Sequence, residues 1–481
     1  MGTSGSEPPV ADERPDPIRA VASRAGVVSE KEPHAAAVPK GDGRESATGT
    51  PEVGRSGADQ VRRRGPLGLL QVLGPGLITG ASDDDPSGIG TYSQAGSQFG
   101  LGTLWLAIFT FPLMIAVQEA CARIALQTGV GLGTSLRRKF PSVLVGGCIV
   151  LVFCANTINV GADLGAVAAG GSMLTGSHVP PGWFLVPVAL LVGFMQLRLS
   201  YSIIFRCFRY LTLALFAYVI TLFIVHPPLL ATLEATFIPH FEFNKEFVGI
   251  VVAIFGTTIS PYLFFWQASS EVDEMKAAGA TTEQERRGTS RKELRAARID
   301  VAVGMLFSQL VMYSIILVSG TVLHSHGHGG IATAQQAAEA LKPLAGPLAF
   351  VLFALGMIGT GLLAIPVLTA SAAYAVKEFF GFRGSLSETP RARPTFYALI
   401  VVALLGGLLM SILNIDPIQA LVVTAIINGI VAPPILVLIA LLARDRRVMA
   451  EHRSGTVSNA LVWIATTIMG AAVVALIATS L

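Results

Sequence analysis

Long apolar stretches follow one another from Leu67 to the end of the chain, most of them near the roughly 20 residues that a helix needs to cross a hydrocarbon core. We predict eleven such spans, numbered 1 to 11: about 67–95, 102–127, 141–174, 182–197, 205–226, 246–274, 298–323, 347–380, 394–413, 416–442 and 456–480. Span 4 is short, and its limits are the least defined. The pattern predicts an all-α integral membrane protein.

Composition agrees with this pattern. Hydrophobic residues make up 52% of the 481 residues and charged residues only 14%, against about 25% charged in a soluble domain. The net charge of +3 is too small to indicate a nucleic-acid-binding protein. The four cysteines form no CxxC pair, so neither a disulfide framework nor a zinc site is predicted.

Residues 1–65 differ from the remainder, because they are rich in Pro, Gly, Ala, Ser and charge and lack periodicity. Such a segment buries too little apolar surface to offset the entropy of ordering. We predict a disordered cytoplasmic tail. Its start has no apolar run of the secretory type, so the later helices are expected to insert the chain.

The distribution of Lys and Arg gives an independent test of the span count, since short cytoplasmic loops carry an excess of these residues. Alternate segments between the spans, together with the one before span 1, carry 24 basic residues, whereas the opposite segments carry two, Lys245 and Lys342. This asymmetry predicts a cytoplasmic N-terminus and an external C-terminus in the cell (inner) membrane.

Two spans contain helix breakers near the middle of the membrane. Span 1 includes three aspartates followed by Pro86, and span 6 includes Pro261. A proline deprives the carbonyl four residues earlier of its partner, so the carbonyls of Ser82 and Thr257 are expected to be free. Such backbone is tolerated only where protein or a watery cavity surrounds it.

Two broken helices with free carbonyls, together with Asp85, would form an oxygen-rich cation site. Alternatively, each proline merely kinks its helix. Spans 1 and 6 are five apart, which favours a five-helix repeat inserted twice in opposite orientations, with substrate held near the midplane. The predicted divisions are 66–240 for the first repeat, 241–443 for the second and 444–481 for span 11.

Span 1 resembles the first helix of the Nramp family of divalent-metal transporters. The similar residues are Gly74-Pro75-Gly76 and, ten residues later, Asp85-Pro86-Ser87-Gly88, where the family has Asp-Pro-Gly-Asn. The segment from Gly256 to Tyr262 is similar to the family's Met-Pro-His segment. The resemblance implies a leucine-transporter-like fold of the APC superfamily: an inverted 5+5 helix repeat plus an eleventh helix, with helices 1 and 6 broken.

The resemblance also implies a site. Asp85 matches the metal-binding aspartate, and Ser82 and Thr257 match positions whose carbonyls reach the ion. The sequence departs from the family at three ligand positions, where Asn, Met and His are replaced by Gly88, Ser260 and Tyr262. Without the thioether, carboxylate, carbonyl and water ligands suit Mg²⁺ or Mn²⁺, as in the Nramp-related magnesium-transporter branch.

Further polar residues in the spans are candidates because polar groups are costly in hydrocarbon. Asp84 is a possible ligand or outer-shell group, and with Asp83 it could instead line a vestibule that attracts cations. Gln419 could offer a carbonyl oxygen or bond to neighbouring backbone. His324, His326 and His328 either capture metal or belong to a solvated loop, and the loop is favoured.

Four residues are assigned to a proton path or vestibule: Asp163, Asn156, Gln267 and Glu271. Glu271 could equally cap polar contacts between helices. Asp163 matches an acid on the family's proton path, but the acid expected three residues later is Ala166 and the histidine expected in span 6 is Gln267. Metal transport without obligatory proton co-transport is therefore the expectation.

Two other functions are less consistent with the sequence. A sodium-coupled amino-acid or amine symporter would share the fold, but three aspartates would repel the substrate carboxylate. An intramembrane aspartyl protease needs two catalytic acids on separate helices in motifs that are absent here. We expect a monomer in the lipid bilayer that transports a divalent cation, with no catalytic residues and no resident cofactor.

Overall fold

In the computed structural model, residues 74–176, 178–199, 216–225, 227–324, 334–412 and 417–480 are described. Every regular element in these ranges is a helix. The predicted tail at 1–65 lies outside the described residues, as do most of span 5, His326 and His328.

We number the helices of the described residues α1 to α17. They are α1 Pro75–Asp83, α2 Pro86–Phe99, α3 Trp105–Thr128, α4 Leu132–Lys139, α5 Ser142–Leu174, α6 Gly182–Arg198, α7 Phe216–Val225, α8 Leu229–Phe237, α9 Lys245–Thr258, α10 Pro261–Ala277, α11 Glu283–Arg286, α12 Arg291–Val322, α13 Ala334–Phe380, α14 Pro394–Ser411, α15 Pro417–Arg444, α16 Arg446–Met449 and α17 Thr456–Ser480.

These helices agree with the predicted spans. Within the described residues, eight helices are long and apolar enough to cross a membrane, counting α9 and α10 as one interrupted span. Span 1 forms the two short helices α1 and α2, and span 4 forms the shorter apolar helix α6. For span 5, the structure describes α7 alone.

The two predicted helix breaks are present. In span 1, Asp84 and Asp85 are non-helical, and Pro86 begins α2. In span 6, Ile259 and Ser260 are non-helical, and Pro261 begins α10. Proline is tolerated in the first turn of a helix, where its missing N–H would have no partner. Each proline therefore ends one helix and starts the next.

The two broken spans run in opposite directions, as an inverted repeat requires. A Cβ on Gly74, before α1, would lie 3.4 Å from the carboxylate of Glu274, at the end of α10. At the other end of the bundle, the Phe99 ring at the end of α2 lies 5.2 Å from that of Phe247 in the first turn of α9. The start of one broken span thus lies beside the end of the other.

Glycines allow α1 to pack against α12 backbone to backbone. A Cβ on Gly80 would lie 2.1 Å from the carbonyl oxygen of Gly304, and one on Gly304 would lie 2.0 Å from that of Gly76. Small residues at such spacing let helices approach closely in a membrane. One turn beyond Gly80 and Gly304 lie Asp84 and Ser308, and this contact therefore brings them together.

The basic segments meet at one end of the bundle. This end, here called the basic end, carries residues 129–141, 278–290, 381–393 and 445–455. Arg138 donates to Glu283 at 2.6 and 2.9 Å, and Lys139 forms an ion pair with Asp445. Segments that are far apart in sequence thus lie on the same side, as the charge pattern predicted.

Candidate functional site

The two helix breaks meet in the buried centre of the bundle. The Tyr262 hydroxyl, in the first turn of α10, donates to the Ser82 carbonyl oxygen at 2.5 Å. The Ser260 hydroxyl lies 2.7 Å from the Thr257 carbonyl oxygen and 2.6 Å from that of Gly256. The Ser82 carbonyl, which Pro86 deprives of a partner, is therefore hydrogen-bonded to Tyr262. The Thr257 carbonyl shares the single proton of the Ser260 hydroxyl with the Gly256 carbonyl.

Asp85 caps the N-terminus of α2 and is 1% exposed. Its Oδ1 accepts from the Ser87 hydroxyl at 2.5 Å and the Gly88 amide at 2.8 Å, and its Oδ2 accepts from the Asn159 amide at 2.8 Å. A carboxylate offers about four lone-pair positions. Three of them are occupied by protein donors, which leaves one on Oδ2 for a cation.

Gly88 lies where α2 approaches α9 closely. A Cβ there would lie 3.2 Å from the Thr257 hydroxyl and 3.2 Å from the Tyr92 ring, which is tighter than ordinary contact. The Gly88 amide donates to Asp85. In this structure Gly88 therefore orients the acid, and the space that a family asparagine would occupy is filled by neighbouring side chains.

Asp83 and Asp84 are also fully buried, and they face α12. The Ser308 hydroxyl lies 2.6 Å from Asp83 Oδ2 and 3.3 Å from Asp84 Oδ1. The other oxygen of each carboxylate, Asp83 Oδ1 and Asp84 Oδ2, has no hydrogen-bond partner in the described structure. These oxygens are more available to a cation than those of Asp85.

The residues predicted to form a proton path or vestibule lie on two sides of this centre. Asp163 is fully buried on α5, one turn after Asn159, whose side-chain amide donates to Asp85 Oδ2. Asn156, two turns earlier, donates to the Leu368 carbonyl at 3.2 Å on α13. Asp163 therefore lies beside the ion-site acid, whereas Asn156 joins two helices.

A second polar chain leads from α1 towards the basic end. The Thr79 hydroxyl donates to the side-chain oxygen Oε1 of Gln267 at 2.5 Å, and the side-chain nitrogen Nε2 of Gln267 donates to the Glu271 carboxylate at 2.9 Å. Asp300 accepts from the amides of Gly74 and Gly76 at 2.9 and 2.7 Å, which caps the start of α1. Gln267 and Glu271 thus lie on a polar route beside α1.

Gln419 is not placed with these residues. It is exposed in the first turn of α15 and lines a cavity of about 600 Å³ with Gln94, Gln98 and Glu246, at the end opposite the basic end. His324 lies at the same end, with its Nδ1 3.1 Å from the Ser97 carbonyl oxygen. Gln419 therefore lies at the exposed start of α15, away from the two breaks, and does not contact the residues of the centre.

At the basic end, a buried hydrogen-bond network joins α10 to α13. Asp273 accepts from Lys276 at 2.8 Å and from the hydroxyls of Tyr374 and Ser385, each at 2.6 Å. Glu378 accepts from the Ser269 hydroxyl and the Gly133 amide, each at 2.8 Å. These bonds join α10 to α13 and α4, while the Asp85 carboxylate stays buried between the two ends.

Ion pairs connect the segments outside the bundle. The hydrogen bonds and charge of Arg138 lower the pKa of Glu283, and the hydrogen bond and charge of Lys139 lower that of Asp445. Both pairs join the segment after α3 to a segment of the second half of the chain. They therefore link the two halves at the basic end.

Three residues of the centre were not predicted as site residues. Asn159 lies one turn before Asp163 on the same face of α5, and Ser308 lies one turn after Gly304 on α12. Tyr92 contacts the Gly88 region from within α2. The helical spacing of Asn159 from Asp163 was a signal in the sequence. Ser308 is identified only by the contact of α1 with α12, which the structure shows and the sequence does not.

A family model described as natural resistance-associated macrophage protein-like, or Nramp, matches residues 76–479. The chain belongs to the Nramp family. It is 25% identical over 395 residues to the divalent metal cation transporter MntH of Aeromonas hydrophila, covering 81% of this chain and 91% of that protein.

Solved structures of Nramp and of a wider group share this fold. A manganese transporter of Eremococcus coleocola superposes with a TM-score of 0.67 at 16% identity, covering 85% of this chain and 87% of that one. Mhp1, a nucleobase-cation-symport-1 family transporter, superposes with a TM-score of 0.53 at 15% identity, covering 85% and 91%. The Nramp chain therefore has the leucine-transporter-like inverted repeat with spans 1 and 6 broken.

Proposed function

We propose that this Nramp chain carries a divalent metal ion across the cell membrane by alternating access, binding it between the two helix breaks. One observation carries the proposal: the Tyr262–Ser82 hydrogen bond joins the breaks beside the buried Asp85. Carboxylate and carbonyl oxygens are the ligands that hard dications take. The name of the Aeromonas hydrophila relative, a divalent metal cation transporter, supports the same cargo class.

The ion would be bound by the Asp85 carboxylate and the carbonyls of Ser82 and Thr257, with Asp84 close by. The hydroxyls of Tyr262 and Ser260 hold those carbonyls in the empty state and would move aside or join the ion's shell. Gly88 positions Asp85, and Gln419, at the exposed start of α15, lies outside this set of ligands.

Asparagine at position 85 provides the sharpest test of this site, because it separates charge from structure. Asn is as good an N-cap as Asp, whereas Ala loses about 0.5–2 kcal/mol as a cap. In proteoliposomes, Asp85→Asn should abolish Mn²⁺ uptake while the purified protein stays folded, and Asp85→Ala should abolish uptake and also lower the melting temperature. Unchanged Mn²⁺ uptake by Asp85→Asn would remove Asp85 from the ion's ligands.

The cargo we propose is Mg²⁺ or Mn²⁺, because the described residues at the breaks offer oxygen ligands and Ser260 stands where a thioether would favour softer metals. Ser260→Cys inserts a soft ligand of similar size. Competition against Mn²⁺ uptake should shift from Mg²⁺ towards Cd²⁺ in this variant. Equal inhibition by Cd²⁺ in the variant and the parent would contradict a site that includes position 260.

We further propose that transport does not require proton co-transport. Support comes from Gln267, which cannot titrate and is held between Thr79 and Glu271. A pH dye enclosed in proteoliposomes should report no acidification during Mn²⁺ entry. Acidification in proportion to the Mn²⁺ that enters would establish coupling.

We propose that the basic end is cytoplasmic, with the N-terminus inside and the C-terminus outside, and the charge asymmetry supports this orientation. A monomer with two repeats, 66–240 and 241–443, followed by 444–481, would contain the whole site. A reporter that is active only outside the cytoplasm should be active when it is fused to the C-terminus. Light scattering in detergent should give the mass of one chain.

The amino-acid symporter of the same fold is disfavoured. Asp83, Asp84 and Asp85 are all buried at the break of span 1, where they would repel a substrate carboxylate. Calorimetry should show heat on addition of Mn²⁺ and none on addition of amino acids.

A further inference from the structure

The Asn159 side chain lies against the carboxylate at the centre of the proposed site. Asn159 is on α5 and is fully buried, and its Nδ2 donates to Asp85 Oδ2 at 2.8 Å. Oδ2 is the oxygen of Asp85 that keeps a position for a cation, because Oδ1 already accepts from Ser87 and from Gly88. The Asn159 carboxamide is therefore next to the place where the ion would bind.

The oxygen of this carboxamide has no partner. An ionised carboxylate can only accept hydrogen bonds, so Asn159 turns its nitrogen towards Asp85 and its oxygen away. Asn159 Oδ1 is buried and accepts no hydrogen bond from the part of the chain that the structure describes. A buried acceptor without a partner is unfavourable. In the empty protein, the contact with Asp85 thus holds the carboxamide in an orientation that leaves its oxygen unsatisfied.

Reversal of the carboxamide would give the spacing that a hard dication requires. A half-turn about the Cβ–Cγ bond of Asn159 exchanges Nδ2 and Oδ1, which brings Oδ1 to about 2.8 Å from Asp85 Oδ2. Mg²⁺ binds its ligands octahedrally at about 2.0–2.1 Å, so two neighbouring ligand oxygens lie about 2.9 Å apart. Without an ion, two oxygens this close would repel each other. With the ion between them, they have the separation of two ligands in one coordination sphere.

We propose that Asn159 is a ligand of the transported cation and that its carboxamide reverses when the ion binds. In the empty protein Nδ2 stabilises the Asp85 carboxylate, and in the loaded protein Oδ1 joins Asp85 Oδ2 around the ion. Coordination satisfies the oxygen that has no partner in the empty protein. Carbonyl oxygens belong to the ligand class that suits Mg²⁺ and Mn²⁺, and Gly88, which also contacts Asp85, has no side chain to supply one. The inference rests on the proposed function, because it requires an ion at Asp85.

Two substitutions of Asn159 distinguish a ligand from a residue that only orients Asp85. Asn159→Asp keeps an oxygen at this position and removes the hydrogen-bond donor, whereas Asn159→Leu has a similar size and removes both. In equilibrium dialysis of the purified full-length chain above neutral pH, Asn159→Asp should bind Mn²⁺ at least as tightly as the parent. Asn159→Leu should bind Mn²⁺ more weakly, by about tenfold or more.

Asn459→Leu is the matched control for the loss of a buried asparagine. Asn459 is 4% exposed in the first turn of α17, and its Oδ1 also has no hydrogen-bond partner among the described residues. This variant should bind Mn²⁺ as the parent does. Weaker binding in Asn159→Leu but not in Asn459→Leu would assign the effect to the site.

Electron–nuclear double resonance of bound Mn²⁺ gives a readout that an orienting role would not change. With carbon-13 at the side-chain carbonyl of asparagine, the loaded parent should show a coupling between Mn²⁺ and this carbon. The coupling should be absent from Asn159→Leu at saturating Mn²⁺. The measurement on the parent does not depend on the folding of any variant, and a parent without the coupling would overturn the inference.

The outcomes separate this inference from the proposed function. Weaker Mn²⁺ binding in both Asn159→Asp and Asn159→Leu would make Asn159 an orienting residue that acts through its donor, and the ligand assignment would be wrong. Unchanged binding in both variants, together with loss of binding in Asp85→Asn, would also overturn the inference but leave the ion site at Asp85 standing. Unchanged Mn²⁺ binding in Asp85→Asn would overturn the proposed function and this inference together.

Discussion

Removal of the Tyr262 hydroxyl should tighten the binding of the cation. Tyr262→Phe keeps the buried ring and deletes the donor that lies 2.5 Å from the Ser82 carbonyl oxygen. In the empty protein this carbonyl would then lack a partner, since Pro86 has no N–H to give it. A buried acceptor without a partner costs about 1–3 kcal/mol.

A bound cation would satisfy the same carbonyl in both proteins. The cost of the unpaired carbonyl therefore destabilises the empty variant alone. Ion binding removes this cost, so the binding free energy of the variant is more favourable by the same amount. One to three kcal/mol corresponds to about a 5- to 160-fold gain in affinity, and a water that enters in place of the hydroxyl would bring the gain to the lower end. We expect Tyr262→Phe to bind Mn²⁺ at least about fivefold more tightly than the parent.

Equilibrium dialysis and thermal unfolding together measure this effect. The empty variant should melt at a lower temperature than the empty parent, and saturating Mn²⁺ should reduce the difference, because a ligand stabilises the form that it binds. Tyr397→Phe is the control for the loss of a tyrosine hydroxyl. Tyr397 lies away from the site, and its hydroxyl donates to the Glu388 carbonyl oxygen at 2.7 Å. Weaker Mn²⁺ binding in Tyr262→Phe would refute the reasoning and make the hydroxyl a ligand.

Three further predictions concern the packing of α1 against α12, the Asp273 network at the basic end and the pH dependence of stability. Gly304→Ala places a Cβ 2.0 Å from the Gly76 carbonyl oxygen, so calorimetry should show a decrease of about 1–3 kcal/mol in the free energy of unfolding. The control is Gly470→Ala on α17, where nothing lies within 4 Å of the new Cβ, and this variant should be as stable as the parent. Asp273→Asn weakens the bonds to Lys276, Tyr374 and Ser385, so amide exchange at 381–388 should become faster; unchanged exchange would show that the network does not stabilise this segment. Because its folded-state pKa is lowered, Glu283 stabilises the fold above its ordinary pKa of about 4.3 and loses this effect as the pH falls through the lower folded-state value. Glu283→Gln should therefore lower the melting temperature slightly at pH 7, by the equivalent of at most about 1 kcal/mol for so exposed a pair, and not at strongly acidic pH.

The parts of the site that depend on the chain alone could be predicted from the sequence. Pro86 and Pro261 identify the breaks, and the rule that proline frees the carbonyl four residues earlier identifies Ser82 and Thr257. Both carbonyls are indeed bonded outside their helices, to Tyr262 and Ser260. These features were accessible because they follow from local backbone geometry.

The parts that depend on which helix faces which could not be predicted. Ser308 is one polar residue among several in a long apolar helix, and only the contact of Gly80 with Gly304 directs it towards Asp83 and Asp84. Gln419 shows the converse, because a polar residue inside a predicted span lies at its exposed first turn. Hydropathy locates a span along the chain but not the rotation of its polar face.

The bonding at the breaks bears on how an uncoupled carrier could work. An alternating-access protein must return empty, and an empty site with orphaned carbonyls would be too costly to re-form at each cycle. Here hydroxyls from span 6 occupy both carbonyls when no ion is present, and they carry no charge. At the carbonyls the cation competes with neutral hydrogen bonds alone, and the proposed transport without proton co-transport requires in addition that Ser87, Gly88 and Asn159 stabilise the buried Asp85 carboxylate during the empty return. Carriers that lack these hydroxyls would need another partner for the same carbonyls, and this difference would appear as a dependence of the empty return on pH.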